Sequence, residues 1–223
     1  MEISLYGHLV EDTILYKDGT QNKTLGGIAN VWKSIKTIDP SINVSVNPLW
    51  YGECLIHINK DTLEKTAKPY LNIHKNRLEQ KKGKIAHFAY LDQLELDPGV
   101  FEKSHEIMVA DICSNRQFDY TILRNFDIIL ASSKDLTDEL INQAACYDNR
   151  IICHDKNNVI CIHHRRAVKN FPNQHIIQKT NVLGAGDHFA ASLLVSLYHG
   201  ISEYDKIIPK AQKDTYNFLN EQV

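Results

Sequence analysis

Thr180-Asn181-Val182-Leu183-Gly184-Ala185-Gly186-Asp187-His188-Phe189-Ala190-Ala191 sets a turn of small residues, then a carboxylate, at the mouth of an apolar helix. Upstream, Ile176-Ile177 reads as the end of a strand. Downstream, Phe189, Leu193, Leu194 and Leu197 recur at helical spacing. Gly184 and Gly186 allow a sharp turn and a close approach of the backbone to a ligand. The first amides of a helix have no intrahelical acceptor, and together with the helix dipole they form an anion site. Asp187 stands where its carboxylate can take a proton from a hydroxyl held nearby. An anion site beside a base meets two needs of phosphoryl transfer to an alcohol. The same residues also read as an ordinary loop closed by a capping Asp, and the rest of the chain has to decide between the two.

At 223 residues, 43% of them hydrophobic, the chain can bury a sizeable core and reads as one large domain or one domain with an appendage. Its 25 basic and 27 acidic residues leave a formal net charge of -2, so there is no field to hold a nucleic acid or an anionic membrane. The opening Met1-Glu2-Ile3-Ser4-Leu5-Tyr6-Gly7 lacks the basic start and apolar run of a signal peptide, and a cytoplasmic location is expected. Cys54, Cys113, Cys146, Cys153 and Cys161 are odd in number and widely spaced, as reduced thiols are. Cys153-His154 and Cys161-Ile162-His163-His164 invite a zinc reading. A four-residue loop over Asp155 to Asn158 would instead set residue 153 opposite 160 and send Cys153 and Cys161 to opposite faces. A plain β-hairpin with one buried side is the expectation, with His163-His164-Arg165-Arg166 a solvated strand end.

Along the chain, Ile3-Ser4-Leu5-Tyr6 is a short β-like start ending at Gly7, and Thr13-Ile14-Leu15-Tyr16 leads to the turn Lys17-Asp18-Gly19. Gly26-Gly27 opens a helix whose apolar positions 28, 31, 32 and 35 share one face, closed by Asp39-Pro40-Ser41. Residues 43–73 favour strands and suit a small sheet, and the charged stretch from Lys75 to Lys84 connects them onward. Ile85 to Ala89, Ile107 to Asp111, Phe126 to Ala131 and Arg150 to Cys153 are apolar runs of buried-strand type. The segments between them are long enough for crossover helices, Asp135 to Tyr147 among them. Such alternation implies a parallel sheet covered on both faces, with the site at the carboxyl ends of its strands, near Asp111, Ser132 and the Gly184 turn.

Three motifs in this order resemble the ribokinase-like family of sugar kinases, the phosphofructokinase B type. Tyr6-Gly7-His8-Leu9-Val10-Glu11-Asp12 is similar to the family's first strand with its hydroxyl-binding aspartate. Gly26-Gly27-Ile28-Ala29-Asn30 resembles the Gly-Gly-x-x-Asn of the sugar pocket. Leu183 to Phe189 resembles the second signature, with Asp187 as base and the turn of Gly184, Ala185 and Gly186 as anion hole. The resemblance implies a three-layer α/β/α sandwich with a mostly parallel sheet, a single domain over 1–223, and a β-sheet lid at about 43–73. It implies phosphoryl transfer from ATP, with Mg2+, to a hydroxyl of a sugar or sugar-like molecule. A homodimer paired through the lid sheet is implied as well. Asp12 and Asn30 suit a polyol, since the carboxylate accepts from two hydroxyls and the amide both donates and accepts.

The chain also departs from the family. It is short, and a βα stretch before the lid strand is replaced by Ile42 to Gly52. Asn181, Val182 and Leu183 stand where the signature normally has Asp-Thr-x, which puts Asn181 on the cofactor side. Where the family has Asn-x-x-Glu for magnesium and phosphate, this chain has Ser132 and Asp135, whose carboxylate would hold magnesium through water. The family's glycine turn near the nucleotide phosphates is replaced by His154-Asp155-Lys156-Asn157-Asn158, and an adenine pocket must come from Tyr198 to Phe218. An active kinase and a degenerate member that binds sugar or nucleotide without turnover both fit.

Overall fold

The computed structural model describes residues 2–16, 18–58, 65–70, 78, 82–97, 101–113, 117–155, 157–174 and 183–221. In chain order the elements are β1 (Ile3–Tyr16), β2 (Gln21–Gly27), α1 (Ile28–Ile38), β3 (Val44–Ile58), β4 (Lys65–Tyr70), β5 (Gly83–Phe88), β6 (His105–Ile112), β7 (Ile128–Ser132), α2 (Asp138–Cys146), β8 (Arg150–His154), β9 (Asn158–His163), β10 (Arg166–Pro172), α3 (Ala185–Tyr198) and α4 (Tyr204–Glu221). The chain divides into two compact units. One comprises Met1–Tyr6, Ile42–Ser45 and Glu79–Gln174, the other Gly7–Ser41, Val46–Leu78 and His175–Val223.

In the first unit the apolar runs become strands, as their composition predicts. The start of β1 pairs in parallel with β5, and β5, β6, β7 and β8 continue the parallel ladder. β9 and β10 extend it antiparallel. Residues such as Ile85, Ala86, Met108, Val109, Ile129 and Ile152 are fully or almost fully buried, which is why these strands lack polar alternation. The crossovers are leaner than expected. Only α2 is an α-helix among the described crossover residues, and 3-10 turns at Leu91–Gln93 and Tyr120–Asn125 serve the other two connections. α2 starts where Thr137 accepts a bond from the Leu140 amide at 3.1 Å, with Asp138 and Glu139 in its first turn. The Tyr120–Asn125 turn is held by the buried amide of Asn149, which donates to Leu123 O at 3.0 Å. Beneath it lies an aromatic cluster: Tyr6 stacks on Phe88 at 4.6 Å, and Phe88 meets Phe101 and Phe126 edge-on.

His87 on β5 is fully buried, and neither ring nitrogen has a partner among the described residues. Burial pushes it down to about 4. It therefore stays neutral in the fold while the unfolded chain takes up a proton below its ordinary value near 6.5. Between those values the unfolded state binds more protons, so stability falls as pH drops through this window, by about 3 kcal/mol in all. Denaturant unfolding at pH 7 and pH 4 is expected to show a loss in the parent chain that exceeds the one in His87→Leu by this amount, the remainder coming from histidines such as His154, which burial also pushes down to about 4; the variant removes an unpaired polar group and gains stability. An unaltered pH profile in the variant would clear His87 of the effect.

In the second unit the rest of β1 runs on without the break expected at Gly7, and Leu9 to Leu15 pair antiparallel with β2. The intervening turn is fixed by Asp18, whose Oδ1 accepts from the Thr20 amide at 2.9 Å. The later part of β3 pairs with β4, Glu53 opposite Tyr70 through Ile58 opposite Lys65. Val10, Ile14, Cys54 and Ile56 make a small core here, with Tyr16 and Leu183 against it. α1 packs on α3 and α3 on α4. From Asp187 to Leu197 every residue of α3 is buried, which explains the length of the apolar run that first marked it.

Candidate active site

Two helix N-termini converge in the second unit. α1 begins after Gly27 (φ 63°) and α3 after Gly184 (φ 79°), and neither has a side-chain cap. Each glycine holds a positive φ that turns the incoming chain sharply into its helix. Asn30 and Asp187 are the third residues of their helices, and packing of α1 on α3 brings them together: Asn30 Nδ2 donates to Asp187 Oδ2 at 3.0 Å. The amides of Ala185, Gly186 and Asp187 precede the first intrahelical bond, which runs from the His188 amide to Gly184 O at 2.8 Å. An anion placed there meets the positive end of α3. Gly186 itself is helical, so the sharp turn belongs to Gly184 alone.

Asp12 and Gly26 make the next layer. Asp12 lies opposite Thr24 in the β1–β2 ladder and diagonal to Gly26. It is 5% exposed, and a Cβ on Gly26 would overlap its carboxylate. A Cβ on Gly27 would overlap the His8 carbonyl oxygen. Both glycines thus allow backbone and carboxylate to approach at one corner.

An open cleft of about 280 Å³ lies beside Asn30 and Gly184. Ile14, Tyr16, Leu183 and Phe218 form its apolar wall, and Asn22, Thr24, Asn30 and Lys33 its polar wall. Lys33 Nζ donates to Thr24 Oγ1 at 3.3 Å and to Leu25 O at 3.2 Å. Sequence inspection overlooked Lys33, although it lies three residues beyond Asn30 and so on the same helix face. Phe218, expected only as the end of the stretch for an adenine pocket, lines this cleft. It stacks on His188 at 4.4 Å, and burial lowers that imidazole's affinity for a proton.

Ser132 and Asp135 belong to the first unit. The Ser132 hydroxyl donates to Asp135 Oδ2 at 2.5 Å, and the Asp135 amide bonds back to Ser132 O. Burial pushes the Asp135 carboxyl up, the Ser132 bond opposes this, and the Asp92 carboxylate, which nothing in the sequence had marked, raises it further. A hydrated dication would offset the repulsion of these two carboxylates, so they fit magnesium held through water. The β8–β9 loop does not fit a phosphate cradle. It has no glycine, and the Asp155 amide is bonded to Asn158 O at 2.9 Å. Its register is the one expected, Cys153 opposite Ile160, with both Cys153 and Cys161 buried. Asn181 and the Ile176-Ile177 strand end lie outside the described residues.

No protein-family model matches the chain, and no curated protein sequence matches it. Solved structures do. A ribokinase from Thermotoga maritima aligns with 100% of this chain and 94% of its own length, at a TM-score of 0.71 and 13% identity. A nucleoside kinase from Methanocaldococcus jannaschii, an archaeal member of the ribokinase family, gives a TM-score of 0.71 at 14% identity, covering 100% of this chain and 93% of that one. A pyrophosphate-dependent kinase of the ribokinase family gives a TM-score of 0.65 at 15% identity, covering 98% and 95%. These likenesses agree with the mostly parallel sheet and its helices described above: the chain has the ribokinase-like α/β fold.

Proposed function

We propose that this chain transfers a phosphoryl group to a hydroxyl of a sugar or sugar-like small molecule. The observation that carries the proposal is the Asn30–Asp187 hydrogen bond at two converging helix N-termini. Asp187 is the base that takes the acceptor proton, with its carboxylate oriented by Asn30. The amides of Ala185, Gly186 and Asp187 stabilise charge developing on the transferred group. Asp12, Gly26, Gly27 and Asn30 bind the acceptor, with Asn30 reaching the polar wall of the cleft. ATP is the donor that the resemblance implies, and magnesium would neutralise charge on its phosphates when held through water near Asp135. Asn181 remains on the cofactor side of the proposal.

The runner-up is a degenerate protein that binds sugar or nucleotide without turnover. The glycine-free, internally bonded β8–β9 loop favours it. Product formation over a panel of sugars and nucleosides, with ATP and with pyrophosphate as donors, decides between the two. Turnover with any pair supports the kinase; no turnover, while an acceptor or ATP still raises the melting temperature, leaves the binding protein.

The single domain over 1–223 and the lid over about 43–73 are part of the same proposal. Val46 and Tyr51 on β3, Leu25 on β2 and Trp32 on α1 are large exposed apolar side chains. Their exposure supports pairing with a second copy. Sedimentation at micromolar concentration is expected to give a dimer, and a monomer throughout would remove the pairing. No helix among the described residues is long and apolar enough to cross a membrane.

A further inference from the structure

Away from the cleft, the first unit carries a cluster of three metal-ligating side chains: Asp148, His163 and His164. Asp148 lies in the turn between α2 and β8, and the two histidines lie at the β9–β10 hairpin tip. His163 Nε2 is 2.7 Å from Asp148 Oδ1, and His164 Nε2 is 3.1 Å from the same oxygen. The two imidazole rings have centroids 4.0 Å apart, tilted by 37°. Nitrogen and oxygen ligands bonded to one cation at about 2.0–2.2 Å stand about 3.4 Å apart in a tetrahedral shell. All three ligand atoms lie within 4.8 Å of one another, and each imidazole needs to draw back from the carboxylate oxygen by only a few tenths of an ångström to admit an ion.

The backbone here is held in a costly form. His163 pairs with Arg166, so His164 and Arg165 are the two central residues of the hairpin turn. Their φ values are 48° and 65°, and that of Asp148 is 59°. A tight turn with both central residues at positive φ suits Asn-Gly; His enters that region more readily than most residues, and Arg does not. Three of the five non-glycine residues with positive φ among the described residues therefore sit at this one spot. Two of them, Asp148 and His164, are the residues that bring a carboxylate and an imidazole together, and both are types that enter the left-handed region readily; Arg165 bears the strain of the turn.

We propose that Asp148, His163 and His164 bind a divalent first-row transition ion, zinc above all, at a surface site that clips the β9–β10 hairpin to the α2–β8 turn. Two imidazoles and one carboxylate suit zinc, copper or nickel, whereas magnesium and calcium take oxygen shells. His164 and Asp148 are exposed, 64% and 72%, so water completes the coordination. This set differs from the one that the cysteine spacing had suggested, because Cys153 and Cys161 are buried within the hairpin strands.

Calorimetric titration of zinc into chelator-treated, tag-free protein is the test, with Asp148→Asn and His164→Gly alongside. One ion per chain, weakened at least tenfold in both variants, is the expected result. His164→Gly removes a ligand while relaxing the turn, so its metal-free melting temperature should equal or exceed the parent's, which separates lost coordination from misfolding. Cobalt substitution covers the cysteines: a spectrum free of thiolate charge transfer is expected. No stoichiometric binding, full binding in His164→Gly, or a thiolate band with cobalt would each overturn the site.

Discussion

Asp187→Asn is expected to lower turnover by roughly 10² to 10⁴, the usual contribution of one positioned general base. The substitution is nearly isosteric, and Asn30 can still bond to the side-chain oxygen at 187, so the α1–α3 junction should survive. Acceptor binding and melting temperature should change little, while kcat falls. That split matters because Asp187 is 9% exposed, and a purely structural role would move stability first. Steady-state kinetics and thermal unfolding on the same preparations provide the check. Undiminished kcat would remove the base from the mechanism; lost stability with proportionate loss of activity would make Asp187 a structural partner of Asn30 at the α1–α3 junction.

The second large effect is expected at Gly27. Its φ of 63° and ψ of -134° lie in a region that glycine alone occupies comfortably, and an alanine Cβ would overlap the His8 carbonyl oxygen. Backbone strain and steric overlap act together, so Gly27→Ala should destabilise by about 3 kcal/mol or more. For a chain of this size that is a drop of roughly 6–12 °C in melting temperature. Relief requires β1 and β2 to separate or the start of α1 to shift, and Asn30 would move with α1. Activity should therefore fall even at temperatures where the variant remains folded. Gly184→Ala is a useful contrast with a smaller expected loss: its φ of 79° and ψ of 2° are left-handed, which alanine adopts at a cost of about 1–2 kcal/mol, and a Cβ there meets only the Phe218 ring at 3.6 Å. Equal stability in Gly27→Ala and the parent would rule out this tight corner.

Much of this fold is legible in local sequence because its signals are local. Gly26-Gly27 and Gly184 mark helix starts by their backbone freedom, and both helices begin there. The apolar runs identify parallel strands because only strands buried on both faces dispense with polar residues. The loop over residues 155–158 fixes a hairpin register, and Cys153 does pair with Ile160. Connections were less legible. A segment long enough for a helix also accommodates a short 3-10 turn, and among the described crossover residues the α-helix is the one with Thr137 as its cap and an acidic first turn.

The sequence by itself determined several of the parts: where α1, α3 and the buried parallel strands lie, which stretch offers unbonded amides, and which carboxylate stands beside them. Tertiary structure decided which of those parts meet. Asn30 and Asp187 are 157 residues apart and touch because α1 and α3 bury their apolar faces against each other. Phe218 reaches Gly184 through the packing of α4 on α3, and Asp148 meets His163 and His164 because a helix end and a hairpin tip fall side by side. Periodicity and turn chemistry act over a few residues, whereas such meetings depend on how whole buried surfaces fit, and no short stretch of chain carries that information.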